Sequence, residues 1–483
     1  MLETSGSPAR GIGFLLDGQW RCEGEAFDVL APYDGQVVAT TFRATPAHLN
    51  AAIEAAARAF ETTRKLPSCE RQRVLRVVAE GIAARREEIT RTLALEAAKP
   101  IKAARAEVER AIFTFSVAAE ESTRIYGEWL PLDLQAATVG RWGLVRRFPI
   151  GPIASITPFN FPLNLVAHKV APCIAAGNTM VLKPATQTPL SALMLGEIAC
   201  EAGLVPGALN MLPCSSSVAA PIVEDDRLKM VTFTGSPEVG WEIKRRAGRK
   251  KVCLELGGNA GVVIDRSADL EYAAKRVAIG GYSNSGQSCI SVQRVFVCDQ
   301  VYKLFLDKLV PLVEAKVVGD PADEDTDVGP MISLADAERA EAWIREAVAG
   351  GARIVTGGRR AGSLLWPTIL TDTKPTMKVN RLEVFAPLIT VERVSDARQG
   401  IRMVDDSRYG LQAGIFTGDL DTAFEAFQEI EVGGVIVNDV PTWRADEQPY
   451  GGVKESGLGR EGVRYAIGEM TEIRILVINF NRA

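Results

Sequence analysis

Apolar residues recur at two different periods along this chain, and the changeover divides it. Between residues 45 and 126 the spacing is helical. Thr45 and Pro46 stand as N-cap and first-turn residues before an amphipathic segment at 49–60, and Ser68 is placed to cap the next helix. That helix is expected to carry Val74, Leu75, Val78, Ile82 and Ile89 on one face until Pro100 interrupts it, and another follows at 103–126. Arginines and glutamates interleave on the outer faces, as on solvated, paired helix surfaces.

From Gly151 onward, short apolar runs alternate with helical stretches. Strands are expected at 153–156, 179–183, 208–212, 229–233 and 252–256, with helices near 165–176, 190–202 and 239–247 between them. That alternation implies a parallel sheet covered on both faces, the doubly wound architecture that binds nucleotides. A second α/β pattern starts at Val262, with strands at 292–297 and near Arg353, Ile389 and Val435, and helices at 302–315 and 335–349. The last segment, 472–480, alternates like a strand in need of a partner, which suits an interface.

Composition narrows the class. A chain of 483 residues, 47% hydrophobic and 24% charged, has globular proportions and room for several domains. The net charge of −5 leaves no electrostatic footprint for nucleic acid or anionic lipid. No apolar run approaches the roughly 20 residues of a membrane helix, and residues 1–10 read as a polar tail, not an export signal, so a cytoplasmic location is expected. Eight scattered cysteines and two histidines suggest neither a disulfide framework nor a metal site.

Two local segments carry reactive groups. Asn284-Ser285-Gly286-Gln287-Ser288-Cys289 sets a thiol in a loop of small residues, where a thiolate could attack an electrophile. Leu254-Glu255-Leu256-Gly257-Gly258-Asn259 ends an apolar strand on a carboxylate whose burial invites a functional reason. Two more segments are Ile156-Thr157-Pro158-Phe159-Asn160-Phe161-Pro162 and Phe233-Thr234-Gly235-Ser236-Pro237-Glu238-Val239-Gly240. With Lys183-Pro184-Ala185, Glu383-Val384-Phe385-Ala386-Pro387 and Tyr450-Gly451-Gly452-Val453-Lys454-Glu455-Ser456-Gly457 in order, the set resembles the aldehyde dehydrogenase superfamily over nearly the whole chain. Within it the chain looks like the lactaldehyde, non-phosphorylating glyceraldehyde-phosphate and semialdehyde branch.

The resemblance implies an α/β fold with a Rossmann-like dinucleotide domain (1–124 and 146–255), an α/β catalytic domain (256–440) and a small β oligomerisation flap (125–145 and 465–483). It implies oxidation of an aldehyde to its acid through a thiohemiacetal and a thioester, in a homodimer or homotetramer. Cys289 matches the nucleophile, Glu255 the general base and Asn160 the oxyanion donor. Thr157, Pro158, Phe159, Lys183, Thr186, Gly235, Ser236, Gly240, Leu256, Glu383 and Phe385 match the cofactor-binding positions. Thr186 stands where many NAD-preferring relatives carry a glutamate, which removes a repulsion against a 2′-phosphate, so NADP⁺ is favoured over NAD⁺. Arg110, Asn164, His168, Trp443, Arg444 and Tyr450 are expected to line a polar substrate funnel for a small hydroxylated or anionic aldehyde, with solvent-facing helix roles as the alternative for Arg110 and His168. Two other readings stay open, a coenzyme A-acylating enzyme, against which Glu255 argues, and a non-catalytic structural relative.

Overall fold

A computed structural model of the chain describes residues 11–480, so the tail at 1–10 and the end of the flap at 481–483 lie outside the described residues. The first sheet has eight strands. At its centre Leu209–Met211, Thr179–Lys183, Pro152–Ile156, Met230–Thr234 and Lys251–Glu255 lie side by side and parallel. These five are buried almost throughout, and their β-branched and small residues pack against helices on both faces. Chain order runs outward in one direction from Pro152–Ile156, then returns to its other side with Met230–Thr234. The topological switch point therefore lies between the ends of those two strands.

The second sheet has seven strands, including Gly261–Ile264, Arg294–Cys298, Leu388–Val394 and Gln412–Phe416. Only residues 256–260 separate the last parallel strand of the first sheet from the first strand of the second. Short strands near the C-terminus then tie the halves together. Gly457–Leu458 pairs with Lys251–Glu255, and Val453–Lys454 pairs with Tyr409–Gly410. A third sheet of three strands joins Glu128–Pro131, Arg141–Pro149 and Thr471–Asn479.

Helix boundaries depart from expectation where turn chemistry competes with periodicity. Ser68 does not cap its helix: Pro67 holds the N-cap position without a side-chain bond, and Ser68 is the first helical residue. The apolar stripe through Ile89 is carried by two helices, Ser68–Ala84 and Arg86–Glu96, because Arg85 leaves helical geometry at φ −102°, ψ 19°. Thr45 does cap Pro46–Thr63, accepting from the His48 amide at 3.3 Å.

One helix matters most for the site. Asn164–Ala176 is buried at every position and ends on left-handed Gly177. Its N-terminus cannot reach water, and Glu107 supplies the acceptor instead, taking the Leu163 and Asn164 amides at 3.0 Å each. Glu107 also forms an ion pair with fully buried Lys99, which lies over the Phe161 ring.

Candidate functional site

The crevice at the switch point opens onto the second domain, and a cavity of about 260 Å³ fills the junction. Pro158, Phe159, Asn160, Thr234, Gly235, Ser236, Glu255, Leu256, Cys289, Glu383 and Phe385 line it, beside Arg110, Asn164, Arg444 and Tyr450. Segments hundreds of residues apart thus converge on one chamber.

Cys289 reaches it by a left-handed turn. Asn284, Ser285 and Gly286 take φ 50°, 56° and 69°, and a Cβ at Gly286 would stand 2.1 Å from the Ala386 carbonyl oxygen, so only glycine fits there. The thiol lies 3.2 Å from the Tyr450 hydroxyl. Burial pushes its pKa up to about 12, with the Tyr450 hydrogen bond pulling the other way, so the resting sulfur is protonated. Its backbone amide donates to no protein acceptor among the described residues. Asn160 spends one amide hydrogen on the Gln287 carbonyl at 3.0 Å, and the other is left for a ligand oxygen.

Glu255 ends its strand at 2% exposure with neither carboxylate oxygen hydrogen-bonded among the described residues. Burial, then the charge of Glu461, pushes its pKa well above the carboxylate range. Glu461 keeps its own charge because, against the cost of burial, Lys169 donates to it at 2.7 Å and Arg444 stands 3.9 Å away. Gly451, at φ 155°, makes room for Glu255: a Cβ there would come within 2.8 Å of its Oε1.

The opposite wall suits a dinucleotide. Ser236 caps helix Pro237–Arg246, with proline in the first turn, and leaves a positive helix end beside the crevice. Gly240 permits that helix to lie against the strand end, since a Cβ would meet Leu256 at 2.3 Å. The buried hydroxyls of Thr157 and Thr234, both at strand ends flanking the switch point, have no protein partner. Glu383 accepts from the Gly258 amide at 3.0 Å, and burial pushes its pKa up to about 7. Phe385, held at φ 51°, meets Phe159 edge to face at 5.9 Å. Lys183 and Thr186 sit apart from the cavity lining, at the end of the neighbouring strand. Lys183 is partly buried and its ammonium donates to the Pro184 carbonyl, while Thr186 donates to the Cys214 carbonyl.

The substrate residues separate into wall and support. Arg110, Asn164, Arg444 and Tyr450 line the cavity. Trp443 is half exposed and absent from the lining, and its carbonyl instead accepts from Gln412. His168 is also absent from it: the ring is fully buried behind Arg444, because its helix has no exposed face. Both therefore depart from the expected funnel, and His168 departs as well from the solvent-facing alternative.

The support contains groups that periodicity could not find. Asp446 accepts from Arg110 at 2.6 and 3.2 Å and from His168 at 2.8 Å, while Lys169 bonds Thr232 and Glu461. The one available signal was His168-Lys169 itself, two polar residues inside an otherwise apolar helix. Among the described residues no cluster of three His, Cys, Asp or Glu is placed to hold a metal.

Known proteins resemble this chain over nearly its whole length. The model for the aldehyde dehydrogenase family matches residues 20–476. A 3-sulfolactaldehyde dehydrogenase from Priestia aryabhattai is 45% identical over 477 residues, covering 99% of this chain and 100% of the relative. A lactaldehyde dehydrogenase from Methanococcus aeolicus is 36% identical over 96% of this chain and 99% of its own. Among solved structures, aldehyde dehydrogenase 21 from Physcomitrella patens in complex with the reaction product succinate superposes with a TM-score of 0.97 at 45% identity, over 99% and 100% of the two chains. The glyceraldehyde-3-phosphate dehydrogenase GapN from Methanocaldococcus jannaschii, complexed with NADP, gives 0.90 at 37%, over 95% and 99%.

Proposed function

The chain belongs to the aldehyde dehydrogenase family, and we propose that it oxidises a short anionic aldehyde to the carboxylic acid with NADP⁺ or NAD⁺ and without coenzyme A. The observation that carries the anionic choice is Arg444. Its guanidinium lies 3.6 Å over the Tyr450 ring, whose hydroxyl touches the Cys289 sulfur, and its Nε has no protein acceptor. A fixed cation thus stands one phenol ring from the nucleophile, which suits a carboxylate or sulfonate a few bonds from the aldehyde carbon. Arg110 adds a second cation to the same wall. Relatives named for sulfolactaldehyde and a structure bound to succinate support that class.

Cys289 loses its thiol proton to solvent and attacks the aldehyde carbon as the thiolate, forming the carbon–sulfur bond as the carbonyl π pair moves onto oxygen. The negative oxygen that results is met by the Asn160 side-chain amide and the Cys289 backbone amide, each donor typically worth roughly 3–4 kcal/mol. Gly235, Ser236, Thr234, Leu256, Glu383 and Phe385 would hold the cofactor together with Thr157, Pro158, Phe159 and Lys183. When bound, the cofactor would supply the hydride acceptor for oxidation at the aldehyde carbon. Glu255, ionised for this step, takes a proton from water, whose oxygen then displaces Cys289 from the thioester. Burial without partners raises its basicity for that role. Thr186, neutral and already bonded to Cys214, leaves Lys183 to face a 2′-phosphate, which favours NADP⁺.

A homodimer or homotetramer is part of the same proposal. Every residue of strand Thr471–Asn479 after Thr471 is exposed, including Ile473, Ile475 and Leu476, and the strand lies at the edge of its sheet. No described helix is long and apolar enough to cross a membrane.

Initial rates of NAD(P)H formation decide the function, measured with 3-sulfolactaldehyde, succinic semialdehyde and lactaldehyde, each cofactor, and coenzyme A present or absent. Turnover without coenzyme A, with kcat/KM highest on the anionic aldehydes, is expected. A requirement for coenzyme A overturns the hydrolytic mechanism, and indifference to substrate charge overturns the role of Arg444.

A further inference from the structure

We propose that Asp446 and His168 form a positioning pair that holds the Arg444 guanidinium in the substrate chamber. The inference rests on Arg444 being the anion receptor. Three contacts run in series: Asp446 Oδ1 to His168 Nε2 at 2.8 Å, His168 Nδ1 to Arg444 Nη2 at 3.4 Å, and the Arg444 guanidinium over Tyr450 at 3.6 Å.

The chemistry of the end groups fixes the proton in the middle. Asp446, despite burial, is held well below the usual carboxylate range by hydrogen bonds from His168 and Arg110, so it only accepts. Arg444 only donates. The ring between them must therefore carry its proton on Nε2 and offer the Nδ1 lone pair to Arg444. Burial, and then the charge of Arg444, pushes the His168 pKa down to about 4, which keeps the ring neutral at neutral pH. A protonated ring would turn a donor toward the arginine and repel it.

Arg444 needs such a hold. Its side chain is 5% exposed, its Nε has no acceptor among the described residues, and Glu461, whose Oε1 takes Lys169, stands with Oε2 at 3.9 Å from Arg444 Nη2, beyond hydrogen-bond distance. Asp446 also takes both Nε and Nη2 of Arg110, so one buried carboxylate orients both cations of the wall, one directly and one through the imidazole. His168 is thus a positioning residue, reaching the substrate only through the arginine.

3-Sulfolactaldehyde and lactaldehyde differ by one sulfonate, and the ratio of their KM values reads its recognition. In His168→Leu, which removes both donor and acceptor, the ratio KM(sulfolactaldehyde)/KM(lactaldehyde) is expected to rise about tenfold, the scale of one charge-assisted hydrogen bond. His168→Gln, whose amide offers a donor and an acceptor at similar spacing, should recover most of it. His168→Asn, too short to touch both partners, should behave as the leucine variant and serves if that variant fails to fold. An unchanged ratio in folded His168→Leu or His168→Asn overturns the positioning role. If Arg444→Gln also leaves the ratio unchanged, the anion-receptor reading itself fails; if Arg444→Gln raises it and the His168 variants do not, only the positioning inference falls.

Discussion

Glu107 and Glu255 are both carboxylates withdrawn from water, and they have opposite surroundings. Glu107 accepts two backbone amides and an ion pair from Lys99, so its charge is fully matched. Glu255 has no hydrogen-bond partner at either oxygen among the described residues. Matched burial makes a carboxylate inert and structural. Unmatched burial raises its proton affinity and leaves it able to act on a ligand.

The largest effect is expected at Cys289, the proposed nucleophile beside Glu255 in the cavity lining. Cys289→Ala is expected to lower kcat by at least about 10⁴-fold with either cofactor while leaving the melting temperature near the parent value. Retained turnover in a steady-state assay would dissociate the cavity from catalysis. Glu255→Gln comes next, with an expected loss of roughly 10²–10⁴-fold in thioester hydrolysis. Because burial pushes the Cys289 pKa up to about 12 and raises that of Glu255 above the carboxylate range, the parent rate should climb as pH rises above 7. The glutamine variant should lose the part of that climb seen in single-turnover acid release, and an identical profile would remove Glu255 from the base role.

Glu107→Gln sharpens the other half of the contrast. It strands buried Lys99 and weakens the acceptor for the Leu163 and Asn164 amides, so a stability loss of about 3–5 kcal/mol is expected in denaturant melts. The folded fraction should keep much of its activity. A loss of kcat without loss of stability would make Glu107 functional and dissolve the distinction. The smallest effect is reserved for the cofactor wall: Thr186→Glu places a carboxylate near the ribose and should shift the NADP⁺/NAD⁺ ratio of kcat/KM about tenfold toward NAD⁺.

Much of the cavity lining is legible in the sequence because its residues sit in short contiguous segments. Cys289 follows a run of small residues, Glu255 precedes two glycines, and Asn160 lies in a turn, each visible without any partner. The strand and helix alternation after Gly151 likewise announced a parallel sheet, since side-chain period is a local property. Helix ends were less legible: Ser68 has the chemistry of a cap, yet Pro67 occupies that position.

The alternation of elements and the family motifs are properties of the sequence alone, because each is encoded within a few neighbouring residues. The tertiary structure alone decided which polar residues face the chamber and which stand behind it. His168 and Trp443 looked like neighbours of the substrate; a helix buried on every side placed the first behind Arg444, and the second turned outward. Asp446 and Glu461 gained their roles from partners 278 and 292 residues away. Their charge states follow from desolvation and from those distant contacts, and neither quantity exists until the chain has folded.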